Sequence, residues 1–253
     1  KELLEFLNDK KIRLGTKMKT LEITAFDKSI SLNPGKNKKK KVLDYPYLFY
    51  ANLGKGKALL AQQKWSDAQQ ALDEGIRIAT SAKSEDSSFH ATIPTAYAER
   101  GSALSKLELY EAARRDYDKA LSGSDSTNAC AILSLKYELC FKTEDYRCVV
   151  NCIDGLLACG LDNEYSALLY NRAYYKMKYD DHAGAIADFE EMLKTAQNNY
   201  LRIAAYNQMA IASQSMGNSS EAMDYIDQAM NINVLHPQSY FYKARVLLMQ
   251  NNE

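Results

Sequence analysis

Prolines are scarce, four in 253 residues, and that leaves long stretches free to run as helix, because proline removes a backbone donor and breaks a helix interior. Apolar runs are short. None approaches the roughly 18 residues that a membrane span needs, so a soluble chain is expected. No charge of one sign prevails, with 32 Lys and Arg against 32 Asp and Glu, and the global footprint of a nucleic-acid binder is missing. The balance is local, however. Residues 1–60 hold 14 Lys and Arg against 6 Asp and Glu, a net of +8, and the remainder carries −8.

Catalytic signals are equally sparse. The only histidines are His90, His182 and His236, and none stands in a G-x-S-x-G or H-E-x-x-H setting. His182 is expected to pack at a helix start, and the other two to lie in loops. The segment NLGKGKALL invites a phosphate-loop reading, but Ala51 stands where the first glycine is needed and Ala58 where a hydroxyl is needed. Five cysteines, Cys130, Cys140, Cys148, Cys152 and Cys159, form an odd set with no secretory leader before it, which is the usage of a reducing compartment. Cys148 and Cys152 share a helix face four residues apart, the geometry of half a metal site, with no second Cys or His pair to complete it. They are therefore read as small buried apolar residues. No catalytic residue, metal or cofactor is expected.

What the sequence has in abundance is a repeat. A small residue recurs with an Ala-like residue twelve positions on, an aromatic or Leu four further, and a small or apolar residue three further. The blocks are Gly56/Ala68/Leu72/Gly75, Gly101/Ala113/Tyr117/Ala120, Tyr137/Val149/Ile153/Leu156, Ala173/Ala185/Phe189/Met192 and Ala210/Ala222/Ile226/Ala229. Residues three and four apart share a helix face, and small residues let two helices approach, so each block reads as an antiparallel helical hairpin. The register advances by 45, 36, 36 and 37 residues, near the roughly 34 of one helical-repeat class and, after the first step, short of the 40–47 of another.

TAYAERGSALSKLELYEAARRDYDKAL is the clearest block, through Tyr97, Gly101, Leu104, Tyr110, Ala113, Tyr117 and Ala120; YNQMAIASQSMGNSSEAMDYIDQAMNI follows, through Gly217, Ala222 and Ala229. On these residues the chain resembles the tetratricopeptide-repeat family over most of its length. Tyr137 departs from the family's small residue. The resemblance implies an all-α, right-handed superhelical solenoid of antiparallel helix pairs. It divides the chain into a partial helix pair at 1–34, a basic insertion loop at 35–47, and an array at 48–253 of five units plus the first helix of a further one, with Ala244 at its small position. That last helix is expected to be covered by further chain or by a partner. A second insertion, TSAKSEDSSFHATIP, is expected to form a loop or longer helix ends.

The resemblance also implies a non-enzymatic scaffold or adapter in the cytoplasm, with the nucleus as the alternative, binding a peptide or helix of a protein partner within a larger assembly. The alternative function is a peptide-sensing regulatory domain of a larger enzyme or transcription regulator. In this family the first helix of each unit lines the concave face. That maps Leu53, Lys57, Ala98, Ser102, Ser134 and Glu138 onto the early units and Tyr170, Asn171, Tyr174, Asn207, Ile211, Phe241 and Arg245 onto the late ones. The late set is the expected partner-binding surface, with Tyr170, Tyr174 and Phe241 as aromatic anchors. Asn171 would suit the middle of a two-carboxylate clamp, but Ser134, Glu138, Ala204 and Gln208 supply none of its cations. Lys36, Lys38, Lys39, Lys40 and Lys41 are a candidate anion contact, and otherwise a solvated loop.

Overall fold

The computed structural model describes residues 27, 41–81, 87–160 and 165–250. Eleven long helices occur among them: α1 (Lys41–Ala61), α2 (Trp65–Ser81), α3 (Ser87–Lys106), α4 (Tyr110–Gly123), α5 (Ser126–Lys142), α6 (Tyr146–Ala158), α7 (Tyr165–Met177), α8 (His182–Thr195), α9 (Asn199–Ser215), α10 (Ser219–Ile232) and α11 (Pro237–Gln250). They group into two compact units, Lys1–Leu139 and Cys140–Glu253. In the first, α1 packs on α2, α2 on α3 and α3 on α4, and in the second α7 pairs with α8 and α9 with α10. Successive first helices also touch, α1 touching α3, α7 touching α9, and α9 touching α11. That is the contact pattern of stacked hairpins.

The repeat positions carry the cores. Ala68, Ala113, Val149, Ala185 and Ala222, all twelve residues past the small position, are fully buried, and Leu72, Ile153, Phe189 and Ile226 beside them are equally inaccessible. Phe189 and Ile226 join Leu169, Met192 and Met209 in one cluster, while Tyr117 gathers Leu104, Ala120, Ile132 and Leu139 in the first unit. Ala244 is exposed, and among the described residues no second helix follows α11 to cover it.

Each hairpin turns in the same way. Gln63, Glu108, Glu144, Asp180 and Gly217, each seven residues past the small position, have φ of 60°, 62°, 54°, 65° and 82°. The next amide donates back across the turn, as Leu109 N to Leu104 O at 2.9 Å and Asn218 N to Ser213 O at 2.9 Å, which ends the first helix with its last carbonyls satisfied. A left-handed conformation costs a residue with a Cβ about 1–2 kcal/mol, and only the fifth turn uses glycine. Glu108→Gly is therefore expected to raise stability by about 0.5–1 kcal/mol, part of the relief being offset by unfolded-chain entropy. Urea unfolding would show it as a higher midpoint at an unchanged slope.

Ion pairs recur in the same register. The residue before the small position pairs with an acid on the preceding unit's second helix: Arg100 with Asp73 at 2.7 Å, Lys136 with Asp118 at 2.6 Å, Arg172 with Asp154 at 2.7 Å and Lys243 with Asp227 at 3.7 Å, while Lys55, at the same register, pairs with Asp27 at 2.5 Å. Met209 interrupts the series. The two arginines also take a carboxylate of their own unit, Asp116 for Arg100 and Asp188 for Arg172, each at 2.6 Å.

Two expectations need correction. The basic segment expected to be a loop through residue 47 is helical from Lys41. Pro46 lies near that helix's start, where it forfeits one backbone hydrogen bond, and the fully buried Phe49 a turn later ties the helix to the core. The second insertion, expected as a loop or longer helix ends, takes the second form and opens α3 from Ser87, which overturns the loop expected at His90. Its Phe89 is inaccessible to solvent and meets Phe49 edge to face at 5.2 Å, and His90 accordingly lies on a helix. The partial helix pair at 1–34 lies outside the described residues apart from Asp27, as do Lys36, Lys38, Lys39 and Lys40.

Candidate functional site

In the second unit the first helices α7, α9 and α11 enclose a cavity of about 190 Å³ lined by Tyr170, Tyr200, Leu201, Ala204, Gln208, Gln238 and Tyr242. Helical spacing builds it. Ala204 and Gln208 are one turn apart on α9, as are Gln238 and Tyr242 on α11, so each pair presents one stripe to the same space. Gln208 Nε2 donates to the Tyr242 hydroxyl at 2.8 Å, joining the two stripes. At the far side Tyr170 packs edge to face on Phe189 at 5.4 Å. Burial, with a smaller contribution from neighbouring Tyr242, pushes its phenol above the ordinary range, so it presents a neutral hydroxyl. Tyr200 meets His236 at 5.8 Å and is largely exposed. No lining residue carries a formal charge. Such a site can take an apolar or aromatic side chain and offer amide and phenol hydrogen bonds to its backbone.

The expected surface residues separate into three groups. Tyr170 lines the cavity. Asn171, Tyr174, Phe241 and Arg245 are exposed beyond its lining: Lys178 Nζ lies 4.9 Å over the Tyr174 ring, and Phe241, 64% exposed, stands edge to face with Tyr242 at 5.5 Å. Asn207 and Ile211 are corrected: Asn207 is fully buried and Ile211 joins the hydrophobic core. Neither side-chain atom of Asn207 has a hydrogen-bond partner among the described residues. The reason is rotational. One residue turns the helix by about 100°, so Asn207 points inward where its neighbour Gln208 points into the cavity. In the first unit Leu53 and Ala98 are likewise buried, while Lys57 reaches Glu99 at 3.5 Å and Ser102 shares a 3.3 Å hydrogen bond with the Tyr117 hydroxyl. Ser134 and Glu138 are exposed. Tyr200, Leu201, Gln238 and Tyr242 are the cavity residues that the sequence reading missed. Counting two and six residues back from each small position would have found Gln208, Ala204, Tyr242 and Gln238.

The cysteines also depart from expectation. Cys140 and Cys148 form a disulfide with Cα atoms 5.7 Å apart, although their usage pointed to reduced thiols. His182 begins α8, half-buried, with Nε2 3.8 Å from Asp180.

Hairpins repeated in one register with matching turns and ion pairs define an all-α helical-repeat protein of the solenoid class. Residues 94–122 match the tetratricopeptide repeat family, and the fold over most of the chain is that of tetratricopeptide-repeat proteins. YrrB, described as a TPR protein with an unusual peptide-binding site, is similar at a TM-score of 0.53 and 16% identity, over 87% of this chain and 98% of that one. The C-terminal part of a TPR repeat-containing protein from Cytophaga hutchinsonii gives 0.51 and 11%, over 87% and 78%. A tetratricopeptide repeat protein from Parabacteroides merdae gives 0.50 and 17%, over 81% and 74%. At these identities the likeness is one of fold. No curated protein matches the chain. No helix among the described residues is long and apolar enough to cross a membrane.

Proposed function

We propose that this chain is a protein-interaction scaffold that seats a peptide segment of its partner on the first-helix face of α7, α9 and α11. The observation that carries the reading is the uncharged cavity formed by three successive first helices, with three tyrosines and two glutamines around it. Tyrosine gives large contact area for little conformational entropy, and the amides satisfy a peptide backbone without demanding a charge. Stacked helical repeats characteristically bind through such extended faces, and YrrB, of similar fold, is described as having a peptide-binding site.

The test is a selection of displayed peptides on the whole chain, followed by affinity measurements on the enriched sequences. Ala204→Trp fills the cavity from its α9 wall and is expected to weaken their binding by about 30-fold or more, the loss typical of a blocked anchor pocket. Ser134→Trp, on an exposed position of α5, should leave it unchanged. Enriched peptides that ignore Ala204→Trp would remove this face as the site.

A further inference from the structure

The sulfurs of Cys140, Cys148 and Cys152 lie within 4.8 Å of one another, and all three residues are buried. Cys140 comes from the last turn of α5, and Cys148 and Cys152 from successive turns of α6. The turn between the helices fixes their approach. Glu144 takes φ 54°, the Asp145 amide donates to the Cys140 carbonyl at 3.0 Å, and the Asp145 carboxylate accepts from the Cys148 amide at 3.0 Å. Two of the three sulfurs are thus held on a backbone whose hydrogen bonds do not depend on the bridge between them.

We propose that, once the Cys140–Cys148 bridge is reduced, these three side chains form a binding site for a single soft metal ion, with Cu+ the ion it fits best. Thiolate ligands select soft ions, and Cu+ among them. Zinc in structural sites takes four ligands, whereas among the described residues this cluster holds three sulfurs and no His, Asp or Glu. Three sulfurs around one ion at a metal–sulfur distance of about 2.3 Å stand about 4.0 Å apart, a separation that Cys140 and Cys148 reach only once their bridge is open. Cys148 lies in the first turn of α6, where the positive end of the helix favours a thiolate. Val149 and Ile153, fully buried, exclude water along the same helix.

Opening the bridge takes a two-electron reductant. Two electrons and two protons pass to the sulfurs of Cys140 and Cys148, and a thiol or dithiol leaves as its own disulfide, whereas a phosphine leaves as its oxide with the oxygen taken from water. The incoming ion then displaces thiol protons to solvent. Because bridge and ion need the same sulfurs, they exclude each other, and metal occupancy follows the redox state of this one turn.

The experiment uses the whole chain, reduced with a phosphine under anaerobic conditions and titrated with Cu+ alone against a coloured Cu+ chelator. Native mass spectrometry counts the ions, and far-UV circular dichroism checks that each sample is folded. The expected result is one Cu+ per reduced chain and none on the bridged chain, a comparison that needs no mutation. Cys152→Ala should weaken binding by about 100-fold or more, as losing one of three direct ligands exceeds the 10–100-fold typical of lost outer-shell partners. Reduction also releases Cys130 and Cys159 from disulfide bonding, and Cys159→Ala, outside the cluster, should leave Cu+ binding unchanged. Equal binding by reduced and bridged chains, no uptake by the reduced chain, or a Cys152→Ala protein that binds as the parent does would each overturn the proposal.

Discussion

Replacing Asp188 with alanine is expected to lower the unfolding free energy by about 3 kcal/mol, the lower end of the range for removing one partner of a buried ion pair. Its side chain is 6% exposed and takes two hydrogen bonds from Arg172, at 2.9 Å from Nε and 2.6 Å from Nη2, and an ion pair from Lys176 at 2.9 Å. Alanine would strand two mostly covered cations. Burial by itself pulls the Arg172 pKa down, but hydrogen bonds to Asp188 and Asp154 outweigh it and the net direction is up, so the guanidinium cannot escape by losing its proton. The loss stays at the lower end because Arg172 keeps Asp154 at 2.7 Å. Asp154→Ala provides the contrast. Its side chain is 52% exposed, and a surface pair of that kind contributes only about 0–1 kcal/mol. Denaturant midpoints of the two variants decide the matter: equal losses would mean that the carboxylate's burial is not what gives the pair its strength. Asp116→Ala, which strips Arg100 of the equivalent partner in the first unit, should repeat the Asp188 result.

The ladder to which these pairs belong was present in the sequence, yet hydrophobic spacing does not reveal it. Arg100 and Asp73, or Arg172 and Asp154, sit on different hairpins, and only the stacking of one hairpin on the next brings them together. The small-residue register was legible because its positions from 56 to 210 are packed, so volume and polarity are constrained at once. The turns were half legible. Gly217 announces its left-handed backbone, whereas Gln63, Glu108, Glu144 and Asp180 adopt the same conformation with side chains that give no sign of it. The lining of the α9 side of the cavity was missed by one residue. Asn207 and Gln208 are neighbours of similar chemistry, and a rotation of about 100° decides which enters the core and which the cavity. The thiol cluster fell short in a similar way, since Cys148 and Cys152 declare themselves by spacing on one helix while Cys140 joins them only through the geometry of a turn. Phe89 belongs with these cases, an aromatic in a serine-rich insertion whose burial depends on Phe49 from another helix.

The close approach behind the whole register yields the other large effect. A Cβ placed on Gly101 would stand 2.8 Å from Cε1 and 3.0 Å from Cδ1 of Tyr117, and one on Gly56 would stand 2.5 Å from Cγ of Leu72. In both hairpins the contact joins the small residue of the first helix to the large residue sixteen positions on. Gly101→Ala sets two effects of similar size against each other, a gain of up to about 1 kcal/mol in helix propensity and the displacement of a buried ring. Gly101→Val loses that compensation, because its branched Cβ is a poorer helix former and its extra methyls overlap a ring that has nowhere to move. A loss of about 3 kcal/mol is expected. Lost stability alone would not identify the ring as the cause, so the decisive measurement is a double-mutant cycle with Tyr117→Leu. Shortening the side chain opens the space that valine needs, and the double variant should be more stable than the sum of the single losses predicts by about 1–2 kcal/mol. Strict additivity would place the strain elsewhere in the hairpin and would deny that glycine stands at position 101 to let Tyr117 in.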